Sequence, residues 1–221
     1  KAQGLPAEVA TIGIDARKGK ASGASNCTIG DVKAGPANVN FDCTEKALPL
    51  AVSAEATTAL ALVPFTQELN QEKLVISGLA AGTYELKIDN QTVGEYPAAD
   101  LQAGVNLAEN AKTPQHQQSA AATKINQDRT NVGLQLRGLA AQFYALSKAK
   151  VDVSDPAAVE KERTARVVAS QKGGGPEDAR MKAALDAFKI REKLAQDYDK
   201  LAADLHAACQ PKPHHFALTK K

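Results

Sequence analysis

The apolar residues of this chain change their period once, near Thr113-Pro114, and that change governs what the chain can fold into. From Val9 to about Leu107 apolar side chains alternate in short runs broken by Gly, Pro, Asn and Asp, which is the period of strands. Beyond Pro114 they recur every three to four residues over a long stretch without interior proline, which is the period of helices.

In the first part, Ile12 and Ile14 alternate ahead of the turn Lys18-Gly19-Lys20, and Val39 and Phe41 alternate ahead of Cys43. Leu74-Val75-Ile76 leads into Gly78, after which Tyr84, Leu86 and Ile88 put three apolar side chains on one face of a strand. Asp89-Asn90-Gln91-Thr92 turns the chain and Val93-Gly94-Glu95-Tyr96 returns it, making the clearest hairpin. Pro97 ends the return, and Ala98 to Ala103 form one or two helical turns closed by Gly104. Residues 1–112 are therefore expected to form an antiparallel β-sandwich-like module.

In the second part, Thr113 and Pro114 supply an N-cap and a first-turn proline. Val132, Leu136, Leu139, Phe143 and Leu146 follow at spacings of four, three, four and three, so they share one stripe of a helix. A stripe needs a partner, and Leu185, Phe188, Leu194, Tyr198, Leu201 and Leu205 offer one after the break Gly173-Gly174-Gly175-Pro176, less regularly around 191. The simplest packing is a long antiparallel α-helical hairpin over 113–210, its arms Pro114–Lys148 and Pro176–Cys209 each roughly 50 Å long. Between the arms, at about 149–175, a charged tip with mobile glycines is expected, carrying a shorter helix capped by Ser154-Asp155-Pro156 and running to about Ser170. Residues 211–221 leave helix at Pro211-Lys212-Pro213 for an extended C-terminal tail. The fold class expected is α+β, with a thin core, since no Trp and only five Phe and four Tyr supply bulk.

Charge excludes some partners. A net +2, from 27 basic and 25 acidic residues, gives little field for capturing a phosphate backbone. The basic residues are interleaved with acids, as in Glu160-Lys161-Glu162-Arg163, so nucleic acid is not an expected partner. No apolar run approaches the roughly 20 residues of a membrane span. The chain begins Lys1-Ala2-Gln3-Gly4 and its single Met is Met181, so it is expected to be one part of a longer translated protein.

Catalytic and metal chemistry were sought residue by residue. No Gly-x-Ser-x-Gly elbow and no Gly-Asp-Ser block is present, and of four histidines three lie in the last 16 residues. No catalytic residue is assigned, and no cofactor. His206 and Cys209 share a helical face at i and i+3, and His214 and His215 follow across a proline turn, which makes these four the weak metal candidates. Their spacing matches no closed four-ligand template, and a tail packing Phe216 and His215 back on the protein accounts for them as well. Asp15, Asp31, Asp42 and Asp89 lack the every-second-residue acidic run of a calcium loop and read as turn residues. Cys27 and Cys43 flank a Gly/Pro turn at a spacing suited to a cross-strand disulfide, with two buried free thiols as the alternative. A disulfide places the chain in an oxidising compartment, and the low Met and Cys content agrees with export.

Several stretches carry a resemblance: Lys46-Ala47-Leu48-Pro49-Leu50; Leu62-Val63-Pro64-Phe65 with Leu69-Asn70; Leu74 through Asp89; Val93-Gly94; and Gly104-Val105-Asn106-Leu107-Ala108. Together they resemble the region after the catalytic core in SGNH/GDSL-type hydrolases of Planctomycetes and related bacteria, and Lys212-Pro213-His214-His215-Phe216 is similar to the end of those proteins. The resemblance implies a bacterial parent class and an exported location, periplasmic or extracellular. In that family the catalytic Ser lies in an N-terminal Gly-Asp-Ser block, and Asp and His lie in a block just before the point where this chain starts. No motif here matches either block, so no catalytic residue is carried over.

The function expected is a non-catalytic accessory or assembly region of an exported SGNH/GDSL hydrolase-like protein, packing on a protein partner or on its own upstream hydrolase domain. One alternative is a portion of an esterase whose Ser-Asp-His half lies upstream. Another is a structural subunit of an extracellular or membrane-attached complex. The resemblance implies a GDSL-type ester hydrolase as the parent protein, whereas this chain alone is not expected to be an enzyme, and the sequence leaves oligomeric state open.

Overall fold

The structure is a computed structural model that describes residues 8–52, 54–171 and 190–221. The chain is mixed α+β and divides into two compact units, one made of residues 1–123 with 206–221 and the other of residues 124–205.

The first unit holds two sheets. One has the order β2 (Lys20–Ser25), β1 (Glu8–Asp15), β5 (Gln71–Ser77), β8 (Val105–Asn106). The other has the order β3 (Cys27–Ala34), β4 (Asn38–Glu45), β9 (Pro213–Lys220), β6 (Thr83–Ile88), β7 (Gln91–Pro97). Neighbours run antiparallel except β1 and β5, which pair in parallel with Ile12 opposite Leu74 and Ile14 opposite Ile76. Short helices α1 (Phe65–Leu69) and α2 (Ala98–Ala103) complete the unit, with a 3-10 segment at Ala54–Ala61.

Alternation explains the core. Ala10, Ile12 and Ile14 of β1, Leu74 and Ile76 of β5, Val39, Phe41 and Cys43 of β4, Tyr84, Leu86 and Ile88 of β6, and Phe216 and Leu218 of β9 are the inward rows, and all are buried. Phe41 and Phe216 stack across β4 and β9 with ring centroids 4.9 Å apart. The hairpin expected at Tyr84–Tyr96 is present as β6 and β7, joined by Asp89 and Asn90, both at positive φ (49° and 66°), the conformation of a type I′ turn. Gly104 ends α2 at φ 103°, as its position after Ala103 implies.

The extended path expected after Pro211 is strand β9, and its place is the middle of the five-stranded sheet. It pairs with β4 on one side (Phe41 opposite Phe216) and β6 on the other (Ile88 opposite Phe216). The last ten residues therefore carry the centre of a sheet whose other strands end by residue 97.

The second unit takes residues 124–148 of α3 (Pro114–Lys148), α4 (Pro156–Gln171) and most of α5 (Arg191–Ala208). The bounds of α3 and α4 agree with those read from the sequence. The Gly173–Pro176 break and the first part of the expected second arm lie outside the described residues. Leu139, Leu146, Val159 and Leu194 form a buried cluster, with Val132, Leu136, Phe143 and Val151 against it. Arg129 places its guanidinium 4.8 Å from the Tyr198 ring centre and donates to the Tyr198 hydroxyl at 2.9 Å. Among the described residues, no helix is long and apolar enough to cross a membrane.

Candidate functional site

The inward rows of β4 and β5 do not stay apolar. Two residues beyond Cys43 the same row reaches Glu45, and two residues before Leu74 it reaches Glu72. Glu45 is 4 % exposed and Glu72 not at all, and Gln115, in the first turn of α3, is equally enclosed. Gln115 Nε2 donates to Glu45 Oε1 at 3.3 Å. The two carboxyls act on each other electrostatically, and among the described residues neither Glu72 oxygen has a hydrogen-bond partner. Two buried carboxylates with no countercharge cannot both ionise, so the pair holds a proton. Burial pushes Glu45 up to about 7, against weaker lowering by the Glu72 side chain and the Gln115 amide. Glu72 is raised well above the usual carboxylate range by burial and by the charge of Glu45.

Asparagines frame this pair. Asn106 Oδ1 accepts from the Glu72 amide at 2.9 Å while its Nδ2 donates to the Asn70 carbonyl at 3.0 Å. The Asn70 side chain in turn bridges to Leu50, accepting from its amide at 2.8 Å and donating to its carbonyl at 3.1 Å. Ser119 Oγ accepts from the Ala51 amide at 3.3 Å.

The two inner thiols adjoin the carboxyls. Cys27 lies opposite Glu45 in the β3–β4 ladder and Cys43 opposite Ile29, so the cysteines are diagonal neighbours. Both are buried free thiols. The Cys43 side chain lowers the Cys27 thiol, whereas the Cys27 side chain raises Cys43, as do burial and the nearby Glu45 and Glu72. Cys27 also donates to the Thr11 carbonyl at 3.3 Å. Cys209 is an exposed free thiol beyond the end of α5.

The four weak metal candidates are not gathered. His206 is in the last turn of α5 and Cys209 just beyond it, while His214 and His215 point to opposite faces of β9. His214 is 8 % exposed and its Nδ1 lies 2.6 Å from Asp89 Oδ2; an ionised carboxylate only accepts, which puts the ring proton on Nδ1. Its Nε2 is buried without a partner among the described residues. His215 is half-exposed, with Nδ1 2.6 Å from Asp42 Oδ1. Burial raises Asp89, but the His215 amide at 2.9 Å and the His214 imidazole outweigh it and hold the carboxyl below its usual range. Among the described residues, no group of three His, Cys, Asp or Glu could hold a metal ion.

Among the described residues, no hydroxyl or thiol bonds the His214 or His215 ring in the geometry of a triad. An open depression lined by Asp15, Arg17, Ser77, Gly78, Leu79 and Gln102 contains Ser77, whose hydroxyl donates to the Ile14 carbonyl at 3.4 Å, with no histidine in its lining. Asp15 there accepts from the Arg17 and Lys18 amides, both at 3.0 Å, which is turn chemistry. The Glu45–Glu72 pair is sealed from solvent.

The carboxyl pair is absent from the sequence-based candidates, yet its signal was available. Counting by two from Val39 and Phe41 lands on Glu45, and counting back from Ile76 and Leu74 lands on Glu72.

No protein-family model matches the chain, and no curated protein matches it. Among solved structures it is similar to a gut microbial diltiazem-metabolizing enzyme, with 27% identity and a TM-score of 0.83 over 98% of this chain. The match covers 50% of that enzyme, so the chain spans half of its length.

Proposed function

We propose that this chain is a non-catalytic packing and assembly region of a longer, exported bacterial hydrolase of the SGNH/GDSL type. The observation that carries the reading is the match of nearly the whole chain to half of an enzyme. The pairing of His214 with Asp89 and of His215 with Asp42, each through Nδ1, supports it. In this reading the two sheets form a sandwich, and α3 and α5 form an antiparallel hairpin; the Arg129–Tyr198 contact and the cluster shared by Leu139 and Leu194 support that pairing. The second reading, a portion of an esterase whose Ser-Asp-His half lies elsewhere in the longer protein, is favoured by the neighbour's being an enzyme.

The test is acyl-ester hydrolysis, with p-nitrophenyl acetate, by this chain and by the full-length product of its gene. Both readings expect the chain alone to match the buffer rate. Hydrolysis by the chain alone, abolished by replacing His214 with Ala, overturns the non-catalytic assignment. Activity only in the longer product supports the hydrolase parentage, and inactivity of both removes it.

A further inference from the structure

Between β4 and β5 the first unit carries an excursion that its own core does not use. Residues 47–67 contain one charged residue, Glu55, and nine Leu, Val, Pro or Phe side chains. A loop made for solvent is polar, and this one, which carries the 3-10 segment Ala54–Ala61 and α1, is not. Four large apolar groups on it or at its end face outward: Leu62 is 85 % exposed, Val63 56 %, Leu50 51 % and Leu69 37 %. They lie within twenty residues of one another in a chain whose other large exposed apolar groups are scattered.

The excursion is nonetheless fastened at its base. Asn70, fully buried, bridges both backbone polar groups of Leu50 and closes the neck. Ser119 holds the Ala51 amide, and the Thr66 hydroxyl is bonded to Glu109. Ends pinned by buried side chains, with the apolar middle held outward, define a preformed platform of the Ω-loop kind.

We infer that the platform at Leu50, Leu62, Val63 and Leu69 is the seat of the other half of the longer protein, packing there as an intramolecular domain interface. The inference rests on the reading given under Proposed function. The occupant is set by length: the solved enzyme is twice as long as the stretch this chain matches, so an equal length of polypeptide is available to cover the face. The lack of Lys and Arg in the platform fits an apolar domain face rather than an anionic surface.

The experiment uses Leu62→Asp, which in this chain alone changes an already exposed side chain, made in parallel in the 221-residue chain and in the full-length gene product. Scanning calorimetry is expected to find the melting temperature of the chain unchanged within 2 °C, and that of the full-length protein lowered by at least 5 °C or split into two transitions. Val63→Asp is expected to act likewise, and Tyr144→Asp, at an exposed site of the second unit, to leave both unchanged. An equal drop in chain and full-length protein, or none in either, overturns the inference while leaving the parentage intact. A full-length gene product without a further half removes the parentage and the inference together. Loss of self-association of the chain as the sole effect of Leu62→Asp assigns the platform to a second copy instead, and overturns the inference.

Discussion

The Glu45–Glu72 pair gives this protein an unusual dependence of stability on pH. The unfolded chain releases the Glu45 proton near 4.5, whereas the folded chain keeps it until about 7. Between those values the folded state binds more protons than the unfolded one, so stability falls as pH rises. The contribution is fully present below 4.5 and has been lost once pH passes about 7. At about 1.4 kcal/mol per pH unit, that span corresponds to about 3 kcal/mol for Glu45. Glu72 is raised further, so it extends the loss to higher pH. With a urea slope of about 2 kcal/mol per molar, the unfolding midpoint of the wild type is expected to fall by about 1.5 M from pH 5 to pH 8. The double variant Glu45→Gln/Glu72→Gln keeps the size of both side chains and removes both ionisations. Its midpoint is expected to exceed that of the wild type at pH 8, and the difference between the two proteins isolates the pair from all other titrations. Glu72→Gln alone is expected to give the same sign with a smaller span. A wild-type midpoint equal or higher at pH 8, or a double variant with the wild-type slope, would refute the shared buried proton.

Three further outcomes are expected. Phe216→Ala, which removes a fully buried ring stacked on Phe41, is expected to cost about 3–5 kcal/mol, and deletion of 213–221 to abolish the first unit's cooperative transition; a truncated protein that melts like the wild type would deny β9 its central place. Asp89→Ala leaves the buried Nδ1 of His214 without its acceptor and is expected to cost about 1–3 kcal/mol in urea unfolding at pH 7, with a smaller loss for Asp89→Asn. Titration with Ellman's reagent is expected to find one fast thiol in the native protein, Cys209, and two more only in denaturant; a single thiol in denaturant would mean that Cys27 and Cys43 are joined.

Much of the fold lies open in local patterns. The period change at Thr113-Pro114, the bounds of α3 and α4, the β6–β7 hairpin with its Asp89-Asn90 turn, and the stop at Gly104 each depend on residues within a few positions of one another. Period two also names the inward face of each strand, from Ile12 and Ile14 to Phe216 and Leu218. Local backbone preference and burial of one face suffice for these, because both are settled before any distant segment is chosen.

Which inward positions meet is another matter. Glu45 finds Glu72 across 27 residues of chain, Asp89 finds His214 across 125, and β1 lies parallel to β5 with two strands of the other sheet, β3 and β4, between them in sequence. A strand carries two edges and an unlimited choice of partners, so its own residues leave neighbour and register open. Only the closing of the two sheets on a common core made the chain's last strand a central one, turned two ordinary glutamates into a single proton-holding pair, and left Leu62 and Val63 outside.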